Sequence, residues 1–235
     1  MLRRSPERAA ATVAAFAWSL CSILVSGFHG NTDCAYAGLM LLGVYLLQDR
    51  QRPFLAGLAF AGAVNVKLIP LIIVLPLLIT TKGAQRLRRL VAGLALGATP
   101  FLIPLLSVPA EFKRNVLDYT PNPDFWGIEG LALSAFTNQR WAGAAKIFYD
   151  SYLTGYRPVL IGVILAIAVT ERIRPRLNDY ARSALYITIF LLLTPGFGVQ
   201  YTAALPPLAF AVSVRWGMRY ALTSGIMILT VYLAN

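Results

Sequence analysis

Polar side chains that could do chemistry occur at three separate places in a largely apolar chain. The first is a short turn near the amino end, and the second is one lysine inside an apolar run. The third follows a Pro-Gly-Phe-Gly break near the carboxyl end. Ionisable groups at membrane depth are costly and usually mark function, so we expect the three places to meet in one site. The candidate residues are His29, Asn31, Asp33, Lys67, Gln200 and Tyr201.

These residue types suit a transfer reaction at a sugar that is linked to a phosphate. Lys67 can neutralise the phosphate, and a broken helix around it would add free amides and a dipole end. Asp33 can take a proton from a hydroxyl that attacks the anomeric carbon. His29 and Asn31 can hydrogen-bond to sugar hydroxyls or to phosphate. Fixed positive charge near a departing phosphate also lowers the barrier electrostatically.

Each candidate also has a purely structural interpretation. His29 can be an ordinary turn residue, and Asp33 can cap the helix that follows it. Lys67 can extend to the lipid headgroups. The pair after the break fits a polar loop with an interfacial aromatic residue. The two interpretations differ in whether the side chains converge on one cavity.

The composition excludes a soluble domain. The chain has 235 residues, of which 57% are hydrophobic and only 13% are charged. A typical soluble domain is about 25% charged. The net charge of +11 would suggest nucleic acid in a soluble protein. Here the basic residues form clusters between apolar runs, which indicates a lipid bilayer as partner and argues against nucleic acid.

The basic clusters define one topology for an all-α, polytopic transmembrane helix bundle. Basic residues near helix ends favour the cytoplasm. Placing every cluster there gives about nine crossings, a cytoplasmic amino end and a single transmembrane domain over residues 1–235. The expected location is the cell (inner) membrane, with multiple passes. The clusters occupy residues 1–8, 48–53, 82–89, 171–182 and 215–219.

This topology predicts short or re-entrant arms. The apolar run 54–80 must cross an even number of times, so it should break near Lys67 and Pro70 into arms of about 20 Å. The run 183–214 should turn at 195–202. Residues 107–157 are predicted to form an extracytoplasmic loop, and a short apolar crossing should follow at 158–170.

An amphipathic helix is predicted at the end of that loop. Aromatic and small residues recur there at helical spacing, with charged residues elsewhere on the wheel. The helix either lies in the membrane interface or packs on the bundle. Its apolar face contains Trp141, Ala145, Phe148 and Tyr152.

Four segments resemble the GT-C membrane glycosyltransferases, and glycosyltransferase family 87 most of all. They are FHGNTD at 28–33, LAGLAF at 55–60, VNVKLIP at 64–70 and PGFGVQY at 195–201. The resemblance implies transfer of a mannose-like hexose from a polyprenyl-phosphate donor to a glycan or lipid acceptor. The reaction would run with inversion on the extracytoplasmic face.

The same resemblance suggests roles for the candidate residues. It implies substrate binding for His29, Asn31, Lys67, Gln200 and Tyr201. GT-C enzymes are usually longer and carry their catalytic acid in a first outer loop, so we expect this chain to lack an amino-terminal part and to be a truncated or inactive copy. Asp33 takes the catalytic role by position alone.

Two other functions fit the sequence. Broken helices near the bilayer middle also occur in transporters, so a secondary transporter or lipid-carrier flippase is one alternative. A non-catalytic scaffold subunit is the other, and it predicts polar groups paired with each other without a cavity. No cofactor and no metal site are predicted, although a phosphate site is compatible with a divalent cation.

Overall fold

A computed structural model describes residues 6–28, 31–117, 142–195 and 198–234. The elements in these ranges are helical, which confirms the all-α class. His29 and Trp141 lie outside the described residues. The main helices are α1 (Pro6–Ala17), α2 (Asp33–Gln48), α3 (Pro53–Val66), α4 (Leu71–Thr80), α5 (Ala84–Gly97), α6 (Ala142–Ile173), α7 (Asp179–Leu193), α8 (Pro206–Val212) and α9 (Val214–Ala234).

Short helical pieces connect or extend these helices. A brief α-helix and a π-helix precede the first candidate turn, and a 3₁₀-helix carries the last two candidates. The others continue the chain beyond α5. These pieces are Leu20–Ser22, Ile23–Phe28, Thr99–Phe101, Leu102–Ser107, Pro109–Phe112, Lys113–Leu117 and Val199–Ala204.

Within the described ranges, two helical segments are long and apolar enough to cross a membrane. They are Ala84–Ser107, with 24 residues, and Lys146–Ile173, with 28 residues. The helices α2, α3 and α4 are apolar but shorter. The estimate of about nine crossings is therefore not confirmed and stays a prediction.

The break predicted near Lys67 is present. Helix α3 ends at Val66, Lys67 is extended at φ −160° and ψ 147°, and α4 begins at Leu71 after Pro70. At 1.5 Å per residue, α3 is about 21 Å long and α4 about 15 Å. Both are shorter than the hydrocarbon core of about 30 Å, so the neighbouring helices must shield their ends.

The segment after residue 141 differs from the sequence-based expectation. One continuous helix, α6, covers 32 residues with Pro158 inside it, where we expected a loop to residue 157 and a separate short crossing. The aromatic rings of Phe148, Tyr152 and Tyr156 follow one another along this helix, about 6 Å apart. The Tyr152 hydroxyl donates to the carbonyl oxygen of Leu193, which ties α6 to α7. This stretch of α6 therefore contacts the bundle at Tyr152, whereas Phe148 remains 56% exposed.

Helices α3 and α5 approach each other through glycines. A Cβ atom added to Gly93 would lie 2.0 Å from the carbonyl oxygen of Phe54. One added to Gly57 would lie 2.3 Å from the carbonyl oxygen of Leu90. Small residues of this kind let helix backbones approach closely in membranes. The contact fixes the start of α3 against α5.

Substituting Gly93→Ala should destabilise the protein, because a methyl group here must push two backbones apart. Overpacking typically costs about 1–3 kcal/mol. The matched control is Gly62→Ala, whose new methyl would meet only the Leu39 side chain, at 3.6 Å. Alanine favours a helix by about 1 kcal/mol over glycine, so this control should be neutral or stabilising. Thermal unfolding in detergent measures both, and equal midpoints would contradict the packing described.

Three of the predicted cytoplasmic clusters meet at one end of the bundle. Arg86 donates to the Leu47 carbonyl at 2.7 Å, and Arg172 donates to the Thr81 carbonyl at 3.0 Å. The side-chain oxygen of Gln48 accepts from the Asp179 amide at 2.7 Å. We call this the basic end; it contains residues 47–53, 81–89 and 171–182.

A buried arginine organises the basic end. Arg182 is 6% exposed and pairs with Asp179 at 2.7 Å and with Glu171 at 3.3 Å. Glu171 also accepts from the amides of Arg176 and Leu177. Arg182 therefore does more than mark topology, since its charge is satisfied inside the protein.

Candidate functional site

An ion pair joins two of the candidate residues at the end of the bundle opposite the basic end. The Lys67 ammonium lies 2.7 Å from Oδ1 of Asp33. The Asp33 side chain is fully buried, whereas the Lys67 side chain remains 29% exposed. Because a buried carboxylate needs a partner, Lys67 is held here by a strong local constraint.

Aromatic rings complete the surroundings of the lysine. Its ammonium lies 4.5 Å from the ring centroid of Tyr201 and 5.8 Å from that of Tyr36. Both distances are within the range of cation–π attraction. The break at Lys67 and the 3₁₀-helix that carries Tyr201 are thus brought together, although they are far apart in the chain.

Local structure explains how Asp33 reaches this position. Asp33 is the first residue of α2, and its amide donates to the side-chain oxygen of Asn31 at 3.1 Å. Asn31 therefore satisfies a free amide at the start of the helix. The Asp33 carboxylate points to Lys67, so the capping role considered for Asp33 is carried by Asn31.

A cavity of about 760 Å³ lies beside the ion pair. Lys67 and Tyr201 line it, and Asp33 lies behind Lys67 without lining it. Most of the wall is apolar, and much of it comes from the residues that follow α5. The other polar side chains along the wall are Asn65, Asn115, Tyr156 and Thr194.

The remaining candidates are placed differently. Gln200 is in the same 3₁₀-helix as Tyr201, but it does not line the cavity. A Cβ atom on Gly198 would lie 2.6 Å from the Gln200 amide group, so the side chain folds back on its own turn. His29 lies outside the described residues.

Sequence reasoning missed two residues that shape the site. Tyr36 is fully buried one helical turn after Asp33, and within the described part of the chain its hydroxyl has no hydrogen-bond partner. Asn65 donates to the Gly97 carbonyl at 2.7 Å and so ties the end of α3 to the end of α5. The spacing of three between Asp33 and Tyr36 could have indicated a shared helix face.

The described residues contain no group of three or more His, Cys, Asp or Glu side chains that could hold a metal ion. Among the described residues that line the cavity, the positively charged side chain is that of Lys67. Chemically, the arrangement can bind an anionic group at the ammonium, accommodate an apolar chain along the wall, and supply a carboxylate behind the lysine.

Comparison with known proteins identifies the family. The model of glycosyltransferase family 87 matches residues 1–195. That range includes Asp33 and Lys67, whereas Gln200 and Tyr201 lie beyond it. Neither a curated protein nor a solved structure matches the chain. The match confirms the resemblance and favours a transferase over a transporter or a scaffold: the chain belongs to glycosyltransferase family 87 and is thereby a membrane glycosyltransferase.

Proposed function

We propose that this chain moves a mannose-like hexose from a polyprenyl-phosphate donor to a glycan or lipid acceptor. The observation that carries the proposal is the Asp33–Lys67 pair beside a cavity with mostly apolar walls. A phosphate linked to an isoprenoid chain needs both features, one charged and one apolar. A transferase that used only soluble substrates would not need the apolar wall.

The donor would occupy the cavity with its phosphate at Lys67. The wall beyond α5 presents Pro100, Phe101 and Pro104, which suit a long branched hydrocarbon chain. Charge-assisted hydrogen bonds from an ammonium to phosphate are short and strong. Tyr201, beside the ammonium, would face the sugar or the phosphate.

Phosphate binding would change the partner of Lys67. The phosphate competes with the carboxylate for the ammonium, and the lysine already lines the cavity. Once Lys67 turns to the phosphate, Asp33 can accept a proton from the acceptor hydroxyl. Donor binding therefore frees the Asp33 carboxylate to act as the general base.

The transfer step balances as follows. The acceptor oxygen forms a bond to the anomeric carbon as the bond from that carbon to the phosphate oxygen breaks. The electron pair leaves with the polyprenyl phosphate, which Lys67 stabilises. The acceptor proton passes to Asp33. Attack opposite the leaving group gives inversion.

The other candidates would bind substrate. Asn31 and His29 lie next to Asp33 in the sequence, so they would contact sugar hydroxyls or phosphate once the donor is bound. Gln200 would join them by turning away from its own 3₁₀-helix.

No cofactor is needed in this scheme because Lys67 supplies the positive charge. We therefore expect a chelator of divalent cations to leave the rate of sugar transfer unchanged.

We infer that the site faces the extracytoplasmic side of the cell membrane. The support is that Arg86, Arg172 and Arg182 gather at the opposite end of the bundle. In intact cells, an impermeant thiol reagent should modify Lys146→Cys and spare Arg174→Cys. The reverse pattern would place the site in the cytoplasm.

Transfer of labelled sugar in proteoliposomes tests the proposed function. The vesicles contain membrane lipids as acceptors and receive mannose on either polyprenyl phosphate or a nucleotide diphosphate. We expect labelled product from the polyprenyl donor alone. Transfer from the nucleotide donor alone, or the absence of both transfer and binding of the polyprenyl donor, would overturn the proposal.

A further inference from the structure

A second cavity, of about 360 Å³, lies at the basic end between the start of α3 and α5. Arg52 and Arg89 contribute its charged side chains, and Pro53, Phe54 and Leu55 form its apolar part. We call it the Arg52–Arg89 notch. It lies at the opposite end of α3 from Lys67, so the proposed transfer does not use it.

The arginines of the basic end fall into two groups. Arg86, Arg172 and Arg182 are engaged by backbone carbonyls or by carboxylates. Neither arginine of the notch forms an ion pair with any residue that the structure describes. The two charges that share the notch are therefore available to an external anion.

The notch is held open by local structure. Gln51 has a left-handed backbone at φ 52°, unusual for a residue other than glycine, and its side chain donates to the Gln48 carbonyl. The Arg52 amide donates to the Leu46 carbonyl at 2.8 Å. The tight approach of Gly93 to Phe54 fixes α3 against α5 one turn beyond Arg89. The two arginines thus stand on elements that cannot easily separate.

The apolar part of the notch indicates that its ligand is amphiphilic. Phe54 and Leu55, which line the notch, are 37% and 38% exposed. Arg89 lies near the beginning of the membrane-length segment Ala84–Ser107, where headgroups are expected. A soluble anion would gain nothing from the exposed apolar surface, whereas a lipid would cover it.

We propose that the Arg52–Arg89 notch binds the headgroup of an anionic phospholipid. Each guanidinium offers the phosphate a planar pair of donors, and one acyl chain runs along Phe54 and Leu55. A zwitterionic lipid binds less well because its cationic headgroup meets two arginines. The lipid bridges the α2–α3 turn and α5 from outside.

Native mass spectrometry of the detergent-purified chain, titrated with phosphatidylglycerol or phosphatidylcholine, tests this proposal. Each arginine near a membrane surface strengthens anionic lipid binding roughly 5-fold, so Arg52→Gln with Arg89→Gln should weaken phosphatidylglycerol binding roughly 25-fold. The matched control is Arg174→Gln with Arg176→Gln, which removes two exposed charges of the basic end outside the notch. It should keep most of the binding.

Three outcomes would overturn the proposal. They are equal loss in the two double variants, equal binding of the two lipids by the unmodified chain, and displacement of phosphatidylglycerol by millimolar inorganic phosphate. The last would indicate a site for free anions. The single change Arg89→Lys keeps the charge but loses the planar pair of donors, so its binding should lie between that of the unmodified chain and that of the double glutamine variant, which guards against a fold defect. Sugar transfer is not measured, so this result is independent of the proposed function.

Discussion

Replacing Asp33 by asparagine should reduce sugar transfer roughly 10²–10⁴-fold, the usual contribution of a general base. The change is nearly isosteric and keeps the buried position filled. It also removes the negative charge that holds Lys67 at 2.7 Å, so the ammonium becomes more available to the donor phosphate. We therefore expect donor affinity to stay equal or to increase while turnover falls. Equilibrium binding and single-turnover transfer of the labelled donor measure the two effects separately.

The control for this prediction is Asp150→Asn, an exposed carboxylate on α6, which should transfer sugar at the normal rate. If Asp33→Asn lost donor binding and turnover together, Asp33 would act only by positioning Lys67. Normal transfer by the variant would remove Asp33 from the site altogether. The three results are distinct, so donor binding and sugar transfer together decide whether Asp33 has a catalytic role.

Replacing Lys67 by glutamine should weaken donor binding about 10–100-fold. A charge-assisted hydrogen bond contributes about 1.5–3 kcal/mol, and about 1.4 kcal/mol corresponds to tenfold in affinity. Transfer should fall further, because the departing phosphate loses its counter-charge and such electrostatic groups contribute roughly 10²–10³ in rate. Donor titration and single-turnover rates measure these losses.

Stability must be separated from chemistry in this experiment. Lys67→Gln leaves a fully buried carboxylate without its lysine, and breaking such a pair costs about 3–5 kcal/mol. The double change Lys67→Gln with Asp33→Asn removes both charges, so it should restore the unfolding midpoint without restoring transfer. Lys146→Gln, on the exposed face of α6, is the matched lysine control. Full transfer by the stable double variant would refute the role of both residues.

The break at Lys67 could be predicted because a lone charge and Pro70 interrupt an apolar run that is too short for two full spans. The pairing of Lys67 with Asp33 could not, because sequence spacing says nothing about which distant turns touch. The same limit applies to Tyr201, whose ring lies against the ammonium. We predicted only that the candidate side chains converge on one site. That Lys67 lines the cavity while Asp33 lies behind it is a result of packing.

Two features were misjudged for identifiable reasons. The boundary between residues 157 and 158 was predicted from composition, because a mixed stretch ends at the charged Arg157 and an apolar run begins at Pro158. Instead α6 continues through it, with packing against α4 and α7 on its inner side. We interpreted Arg182 as a topology signal because the positions of basic residues in the sequence do not distinguish solvated from buried arginines. Only the three-dimensional structure shows that Glu171 and Asp179 surround it.

Helix α2 is attached at both of its ends. Near one end, Leu47 and Gln48 are bonded to Arg86 and Asp179, and at the other Asn31 secures the first amide. Lys67 stands in a short extended link between two helices. In the proposed function, contacts between the lysine and the donor phosphate must offset the loss of its buried ion pair with Asp33, while the carboxylate stays where it is. If Asp33 is the proton acceptor that we propose, it stays fixed while the lysine moves, and the donor must bind before the acceptor can be activated.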